Sequence, residues 1–434
     1  MRWDQVVQYA IKTDTGMKRA GNQDRAFAAL CTNHDYWREQ GHIFIVADGM
    51  GGHAVGDLAS KIAVEELQHT FQKINNQSTK ELLESAYRAA NQEINRRGSL
   101  NQEFHRMGTT CTTLVLNHQG AWVGHVGDSR TYRVRGTRID QMTFDHSLQW
   151  ELARKTKKTL KEIQKTEPKN VLTRSLGPEK EMPIDVEGPF PVLPGDIYIL
   201  CSDGLTNYLN DSEIGMIASL MQPSEACRMM VNLANLRGGA DNITVVIAHV
   251  NAAEDSGVFL PEPPKIEQAP TSDVTGLNVG LAIAAFMLAM GILLLVGGYT
   301  VPGIVVTGIA GLAVAWLVVS LIQNSQKVAP KQELNDPEET IFWRPYRTAS
   351  ASFSHDLLDE ISRVTKELED LANKRGWKFD WQHQQALYTE ANRKIEKHKY
   401  DKVLQAYSVA IDQLISVMKS NDSRLERSHA VTEK

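Results

Sequence analysis

The sequence has little cysteine, and none of it stands at the CxxC spacing. Its four cysteines are scattered along 434 residues, so neither a disulfide framework nor a cysteine-rich zinc site is indicated. They fit reduced, buried thiols of a cytosolic domain. The formal net charge is only −5, which gives no indication of nucleic-acid binding. The N-terminal stretch MRWDQVVQYA has no apolar run long enough for a signal peptide, so we expect this part of the chain in the cytoplasm.

What the chain contains instead is a repeated combination of apolar strand, acid and glycine. In VADGMGGH (46–53), an apolar strand predicted from Ile43 to Ala47 ends at Asp48 and is followed by three glycines. Glycine lets bare backbone approach an ion or a phosphate where a side chain would collide. Taken alone, the motif also fits an ordinary tight turn.

The same combination recurs at the ends of other strands, and the recurrence favours a metal site over a set of turns. The acids in such positions are Asp24, Asp48, Asp128, Asp203 and Asp241. The sequence offers no matching set of histidines or cysteines beside them. Carboxylates of this kind suit a hard, oxygen-seeking cation such as Mg2+ or Mn2+ better than Zn2+.

With these motifs in order, residues 5–250 resemble the metal-dependent protein phosphatases of type 2C in their bacterial form. The resemblance is carried by GMKRAGNQD (16–24), VADGMGGH (46–53), MGTTCTTLVL (107–116), HVGDSRTYRVR (125–135), DHSLQWEL (145–152), NVLTRSLG (170–177), GDIYILCSDGLTNYL (195–209) and GGADNITVVI (238–247). It implies hydrolysis of phosphoserine and phosphothreonine monoesters on proteins that a bacterial serine/threonine kinase has modified.

The resemblance also implies an α+β fold, a β-sandwich of two antiparallel sheets flanked by helices on both faces. Apolar strands that return by short turns, as in residues 114–136, predict the antiparallel pairing. Amphipathic helices are predicted between strands, over Leu58–Ile74, Lys80–Arg96 and Ser224–Leu236. The metal ions are expected at one end of the sandwich.

Metal binding is assigned by the resemblance to five acids and one backbone carbonyl. Asp48 bridges two ions, and Asp203 and Asp241 complete the first site. The carbonyl of Gly49 serves the second ion, together with Asp24 through water. Two Mn2+ or Mg2+ ions per site lower the pKa of a shared water, and the resulting hydroxide attacks phosphorus in line.

Three further residues matter for the reaction. Asp128, with Asp203, resembles the position where bacterial members hold a third, weaker ion. Arg19 matches the phosphate-binding arginine, whose planar fork can hold two phosphoryl oxygens. His53 is either the proton donor to the departing oxygen or a local structural residue, because eukaryotic relatives place a histidine where this chain has Met50.

Two features depart from the family pattern. Asn207 stands where many relatives have an aspartate, and this puts the local hydrogen bonding there in doubt. The lysine-rich segment 153–169 occupies the place of a variable flap beside the active site. It either favours acidic or multiply phosphorylated substrates or is simply a solvated helix face.

A different class of function is a catalytically silent relative, a membrane scaffold whose C-terminal helices recruit a partner. All the expected metal ligands are present, which argues against silence. A narrower rival is the branch that acts on anti-sigma antagonists. That branch usually carries sensor domains ahead of the phosphatase, whereas this chain has its additional segments behind it.

Residues 274–326 contain no charged side chain. One membrane pass needs about 20 helical residues, so the run predicts a hairpin over 276–323, with helices near 277–296 and 301–322 and a turn at 297–303. Basic residues lie on both sides of the hairpin, which places both flanks in the cytoplasm and anchors the protein in the cytoplasmic membrane. A buried apolar hairpin of a soluble protein is the alternative.

These segments divide the chain into six parts. The predicted parts are a phosphatase domain (1–252), a proline-rich linker (253–275), the membrane hairpin (276–323), a second linker (324–352), a helical module (353–421) and a disordered tail (422–434). Within the module, one amphipathic helix spans Leu357 to Leu371 and ends before Gly376. The module is either a protein-binding helix pair of the tetratricopeptide type or a plain bundle or coiled coil for self-association.

Overall fold

The computed structural model describes residues 7–32, 37, 40–73, 77–100, 102–104, 107–156, 158–169, 171–251, a few positions between 289 and 302, 345–376, 380–395 and 399–432. The chain forms two compact units. Met1–Pro261 and Trp343–Lys434 together form one of them, and Glu262–Phe342 forms the other. The predicted phosphatase domain and the predicted C-terminal module therefore belong to the same unit.

The strands of the described residues belong to the first unit. They are β1 (Val7–Asp14), β2 (Asp24–Ala29), β3 (His42–Met50), β4 (Gly108–Thr109), β5 (Cys111–Asn117), β6 (Gly120–Val126), β7 (Arg130–Arg135), β8 (Arg138–Gln141), β9 (Asp185–Phe190), β10 (Ile197–Cys201), β11 (Ile243–Val250) and β12 (Arg347–Ser350).

The helices of this unit lie between and after the strands. They are α1 (His53–Lys73), α2 (Thr79–Leu100), α3 (Leu148–Lys155), α4 (Leu160–Ile163), α5 (Asp203–Thr206), α6 (Asp211–Leu220), α7 (Pro223–Leu236), α8 (His355–Arg375), α9 (Trp381–Ile395) and α10 (Tyr400–Thr432). Three of them, α1, α2 and α7, correspond to the helices predicted before residue 252.

The strands form two antiparallel sheets. Sheet A has the order β1-β11-β10-β7-β8-β12, and sheet B has the order β2-β3-β5-β6-β9, with β4 paired to β3. Strands that follow each other in the chain, such as β5 and β6 or β7 and β8, pair through tight turns. The predicted α+β fold with two antiparallel sheets is confirmed.

Both faces of the central strands are buried, which explains their continuous apolar sequences. In β3, Phe44 and Val46 pack into the core between the sheets, while Ile43, Ile45 and Ala47 point to a second core under the helices. The same alternation in β10 sends Tyr198 and Leu200 inward. Because side chains alternate across a strand, each sheet supplies two hydrophobic surfaces, and the sandwich needs helices on both outer faces.

Helices α1 and α2 cover the outer face of sheet B, and their contacts include Leu67, Leu83 and Tyr87 in the second core. The outer face of sheet A is covered by α6 and α7, where Ile217 and Met230 are fully buried. The arrangement of helices outside both sheets agrees with the sequence prediction.

Strand β3 is longer than predicted. The apolar strand was expected to end at Ala47, immediately before Asp48, but it continues to Met50. The short strand β4 accounts for the extension, because Gly49 pairs with Thr109 and Met50 pairs with Gly108. A partner strand so far along the chain cannot be recognised from the local sequence.

The segment after residue 343 also differs from the prediction. Strand β12, which lies inside the predicted linker 324–352, pairs with β8 at the edge of sheet A. Helix α8 ends as predicted, since Gly376 adopts a left-handed conformation with φ of 66°. The tail predicted to be disordered from residue 422 instead continues α10 to Thr432, because no glycine or proline interrupts that sequence.

The predicted membrane hairpin lies largely outside the described residues. Among the residues that the structure describes, no helix is both long and apolar enough to cross a membrane. The few described positions of this unit include a turn at Gly297 and Gly298, and Gly298 has a φ of 85°. The turn agrees with the position predicted for the reversal of the chain.

Candidate active site

Two of the predicted acids lie opposite each other on neighbouring strands. Asp24 begins β2 and pairs with Asp48 of β3 across the antiparallel ladder. The other three stand next to ends of strands. Asp128 follows β6, Asp203 follows β10 at the start of α5, and Asp241 precedes β11. The acids thus come from both sheets, at one end of the sandwich.

We refer to these five side chains as the carboxylate cluster. Burial raises the pKa of Asp48 far above its usual value, and the negative charges of the other four acids raise it further. Burial likewise raises the pKa of Asp24 to about 7, with contributions from the charges of Asp203 and Asp241. Each of these effects requires the carboxylates to lie close together. The structure therefore brings all five predicted acids into one cluster.

Two carboxylate oxygens of the cluster receive no hydrogen bond from the residues that the structure describes. Within the part of the chain that the structure describes, Asp24 Oδ1 and Asp203 Oδ1 are buried and have no hydrogen-bond partner. Burial and the negative charge of Asp241 raise the pKa of Asp203. Carboxylates in such surroundings favour either a bound proton or a cation.

Divalent cations fit this donor set, because oxygen ligands from several carboxylates are what Mg2+ and Mn2+ prefer. Among the described residues, no three histidine, cysteine, aspartate or glutamate side chains already form a group with the geometry of a metal site.

The glycines after Asp48 also have structural functions, and the predicted approach of their backbone to an ion stays a prediction. A side chain on Gly49 would lie 1.9 Å from the carbonyl oxygen of Gly56, so glycine is needed there for close contact between β3 and α1. Gly51 and Gly52 have φ of 114° and 100°, which residues with a Cβ rarely adopt. The Gly52 carbonyl then accepts hydrogen bonds from the backbone of α1, including Gly56 N at 3.0 Å.

The two residues predicted to act on the substrate are placed differently. Arg19 Nη2 lies 2.9 Å from Asp241 Oδ2, and its side chain is 44% exposed. The guanidinium is therefore at the rim of the carboxylate cluster, accessible to a ligand. His53 is the first residue of α1, but its side chain lies outside what the structure describes, so its role stays a prediction.

Sequence reasoning missed the hydroxyl groups that orient the acids. Ser202 donates to Asp24 Oδ2 at 2.8 Å and accepts from Thr244 N at 3.0 Å. Thr110 accepts from the backbone N–H of Asp48 at 3.0 Å. The signal was present in the sequence, because a serine directly precedes Asp203 and a pair of threonines follows Met107 and Gly108.

Asn207, the departure from the family pattern, makes the kind of local contact that was in doubt. Its side-chain amide donates to Asp203 Oδ2 at 3.1 Å. The hydrogen bond lowers the pKa of Asp203 against the effects of burial and of the charge on Asp241. An amide at this position therefore supports the ionised form of a cluster residue, which an aspartate could not do.

A buried histidine pair supports the loop that carries Asp128. The backbone N–H of Gly127 donates to His146 Nδ1 at 3.0 Å, and the Gly127 carbonyl accepts from His146 N at 2.7 Å. His146 Nε2 lies 2.9 Å from Asp185 Oδ2. Burial and the neighbouring His146 lower the pKa of His125 to about 3. The DHS motif thus fixes the backbone beside Asp128.

Comparisons with known proteins agree with this geometry. The family profile described as "Protein phosphatase 2C" matches residues 20–237, which is about half of the chain. The chain therefore belongs to the protein phosphatase 2C family, whose members are metal-dependent protein serine/threonine phosphatases that use Mn2+ or Mg2+. The predictions of enzyme class and of the metal ions are confirmed.

Individual relatives match more than half of the chain. "Protein phosphatase PhpP" from Streptococcus pneumoniae is 34% identical over 249 residues, which are 56% of this chain and 98% of that protein. "Serine/threonine phosphatase stp" from Listeria welshimeri is 35% identical over 246 residues, which are 56% of this chain and 95% of that protein. The solved S. agalactiae serine/threonine phosphatase is 30% identical, covers 56% of this chain and 100% of its own, and has a TM-score of 0.50.

Proposed function

We propose that this protein is a membrane-anchored phosphatase that hydrolyses phosphoserine and phosphothreonine monoesters with two divalent cations held by the carboxylate cluster. The observation that carries the proposal is the convergence of five carboxylates from both sheets, where burial and the neighbouring negative charges raise the pKa values of Asp24 and Asp48. A cluster of this kind is costly without a counter-charge. It gains a function when cations and a phosphoryl group occupy it.

Within the proposed site, Asp48 would help to hold both ions, together with Asp203 and Asp241 at the first position. The carbonyl of Gly49 and the Asp24 carboxylate would serve the second position. When bound, Mn2+ or Mg2+ ions lower the pKa of coordinated water and so supply a hydroxide nucleophile near neutral pH. Asp128, beside Asp203, would hold a third and weaker ion.

The protein's own residues then orient the substrate and the ligands. Arg19, exposed at the rim, binds two phosphoryl oxygens as negative charge shifts during transfer. Ser202 and Asn207 hold the carboxylates of Asp24 and Asp203 by hydrogen bonds, at 2.8 and 3.1 Å. His53, at the start of α1, is the candidate donor of a proton to the departing serine or threonine oxygen.

The mechanism is tested by hydrolysis of a phosphothreonine peptide by the full chain with Mn2+, with a chelator, and after Asp48→Asn. We expect the substitution to lower kcat/KM by about 10²–10³-fold or more, and chelation to abolish turnover. Asp401→Asn is the matched control, because Asp401 is half exposed at the start of α10. Turnover that survives chelation or the loss of Asp48 contradicts the two-ion site.

The silent scaffold is the less favoured alternative. The five acids and Arg19 are all present, and polar groups dedicated to them, such as Ser202, are buried in place. A protein without activity would have no need to keep repelling charges together at this cost. The same assay distinguishes the two functions, since a scaffold leaves the peptide phosphorylated under all metal conditions.

Membrane attachment is supported by sequence and by the few described positions of the second unit. The run 274–326 has no charged residue. Large apolar side chains beside the described turn are exposed, including Leu293 at 70% and Val296 at 84%. Exposed apolar surface of this kind suits contact with lipid. In the proposed topology both flanks of the hairpin, and so the phosphatase site and the C-terminal helices, face the cytoplasm.

Fractionation of cells that express the full chain tests the anchor. The expected result is that the protein sediments with membranes and is released by detergent but not by high salt, because apolar helices and not charges hold it there. A chain in which a glycine-serine linker replaces residues 274–326 is expected in the supernatant. A full chain that stays in the supernatant contradicts membrane attachment.

A further inference from the structure

The C-terminal helix α10 packs directly on the phosphatase fold. Val403, Tyr407 and Ile411 of α10 are buried in the same hydrophobic core as α7. Arg228 Nε of α7 lies 2.8 Å from Asp412 Oδ2 at the rim of this contact. Helix α10 therefore belongs to the same folded unit as the active site, although it lies outside residues 20–237, which the family profile matches.

Near the end of this contact, Lys419 binds Asp14. Lys419 Nζ lies 2.7 Å from Asp14 Oδ1 and 2.6 Å from Oδ2, and the two side chains are 39% and 17% exposed. Burial raises the pKa of Asp14, but hydrogen bonds from Lys419, Gly16 and Asn235 outweigh burial and hold the pKa below its usual value. Asp14 is thus an ionised hydrogen-bond acceptor that Lys419 helps to stabilise.

Asp14 is the last residue of β1 and the start of the loop that carries Arg19. Its Oδ1 accepts from the backbone N–H of Gly16 at 2.9 Å and from Asn235 Nδ2 at 3.1 Å. Asn235 lies in the last turn of α7, directly before the loop that leads to Asp241. The Asp14 carboxylate therefore binds residues at the start of both loops, the one that carries Arg19 and the one that leads to Asp241.

The two loops are also joined to each other. Met17 N donates to the Gly239 carbonyl at 2.7 Å, and Arg19 Nη2 lies 2.9 Å from Asp241 Oδ2. A Cβ on Gly16 would lie 2.1 Å from the carbonyl oxygen of Asp241, so there is no space between them. Because the loops are this closely packed, a shift of Asp14 moves the arginine and the acid together.

We propose that Lys419 is a positioning residue for the phosphatase site. Its ammonium group holds Asp14, which in turn fixes the loop of Arg19 against the loop of Asp241. Helix α10 thereby completes the phosphate-binding edge of the active site without touching the substrate. This inference rests on the proposed function, in which Arg19 binds the phosphoryl group.

The test compares wild type, Lys419→Met, Lys419→Arg and the control Lys402→Met in the full chain. Lys402 lies in the same helix and is 53% exposed, and its contacts are with neighbours in that helix, Asp401 at 4.0 Å and Gln405 Oε1 at 3.2 Å. The measurements are KM and kcat for a phosphothreonine peptide with Mn2+, the inhibition constant of inorganic phosphate, and Mn2+ affinity by calorimetry. A misplaced binding group should change affinity more than the rate of the bound complex.

We expect Lys419→Met to raise both KM and the phosphate inhibition constant by about three- to tenfold, the scale of a partly exposed charged hydrogen bond. The rate constant kcat and the affinity for Mn2+ should change less than twofold. Lys419→Arg should keep KM and the phosphate inhibition constant at their wild-type values, because arginine keeps the charge. Lys402→Met should also leave both constants unchanged.

A second pair of variants tests the route through Asp14. Asp14→Asn removes the charge that Lys419 binds but keeps an acceptor for Gly16, so the effect of Lys419→Met should nearly vanish in that background. Equal effects in both backgrounds overturn the inference, as does an unchanged KM. A fall in kcat alone, parallel to a lower thermal midpoint, points to a purely structural role and overturns it too. If wild type itself does not hydrolyse the peptide, the proposed function fails instead.

Discussion

Buried acids occur in two regions of this molecule, and they are compensated in opposite ways. Outside the active site they meet arginines. Arg130 Nη2 lies 2.6 Å from Asp145 Oδ2, and Arg237 Nη2 lies 2.6 Å from Glu213 Oε1 and 2.9 Å from Glu360 Oε2. In the carboxylate cluster the acids face each other. Hydroxyl and amide groups bind Asp24 and Asp203, and the arginine that binds Asp241, Arg19, is 44% exposed.

The comparison shows that the fold can satisfy buried carboxylates but does not do so at the strand ends. Removing one member of an arginine pair leaves an uncompensated charge, whereas removing one member of the cluster relieves repulsion. The same substitution, aspartate to asparagine, should therefore have opposite effects on stability in the two regions. The predictions below test this contrast, beginning with the largest expected effect.

Asp145→Asn should destabilise the protein by about 3 kcal/mol, because it leaves the buried guanidinium of Arg130 without its bidentate partner. Urea denaturation of the chelated protein measures the change. Adding Arg130→Gln should recover part of the loss, since no unpaired charge then remains. A cost below about 0.5 kcal/mol for Asp145→Asn, the range of ordinary surface substitutions, contradicts the distinction between the two regions.

Mn2+ should stabilise the wild-type protein by about 2.7 kcal/mol at a free concentration one hundred times its Kd. The physical reason is that the cations bind only the folded arrangement of carboxylates and cancel their repulsion. Thermal melts of the full chain in detergent, with Mn2+ and with chelator, measure the shift. Asp48→Asn should lose most of it, and an equal shift in that variant would mean that the ions bind elsewhere.

In the chelated protein, Asp48→Asn should raise the free energy of unfolding by about 1 kcal/mol, because a neutral amide replaces the acid most affected by its neighbours. Asp401→Asn, outside both regions, should change stability by less than about 0.5 kcal/mol. If Asp48→Asn instead lowers the free energy of unfolding, the charge of Asp48 is compensated in the folded protein as fully as the charges of the acids that are paired with arginines.

The smallest effect concerns pH, where buried acids and a buried histidine have opposite effects on stability. The folded-state pKa of Asp24 is raised from 3.8 to about 7, so its stabilising contribution is present below pH 3.8 and is lost as the pH rises through about 7. The pKa of His125 is lowered from 6.5 to about 3, so its contribution is present above pH 6.5 and is lost as the pH falls towards 3.

The pKa of Asp48 is raised as well, and this adds to the effect of Asp24, so we expect the stability of the chelated protein to fall as the pH rises from about 4 to 6.5. Asp24→Asn removes one of the groups that cause the fall and should make it less steep in this interval. Urea denaturation of wild type and variant at several pH values measures the two slopes. Identical slopes would mean that Asp24 titrates normally in the folded protein.

Local patterns in the sequence predicted the parts of the site that depend on neighbours in the chain. Helix α7 lies within one residue of its predicted bounds, and the acid at each strand end could be recognised because burial and a turn follow one another directly. The meeting of five such ends at one point is a property of the topology. The sequence predicted this meeting only because its motifs occur in the order found in the family.

Contacts between distant parts of the chain were not predictable in the same way. The pairing of β12 with β8 joins residues about two hundred positions apart, and a short strand such as RTAS has too few residues for a recognisable pattern. The hydrogen bond of Asn207 to Asp203 and the ion pair of Lys419 with Asp14 likewise depend on tertiary packing. Single polar residues at such positions look the same as solvated ones.

Strand β12 has a practical consequence for work on the catalytic part alone. It covers the edge of sheet A, where β8 would otherwise present free backbone N–H and C=O groups to another molecule. β12 itself is four residues long and carries mainly polar side chains, which makes it a poor template for further strands. A fragment that ends before the linker loses this protection, and its tendency to aggregate through β8 should exceed that of the whole chain.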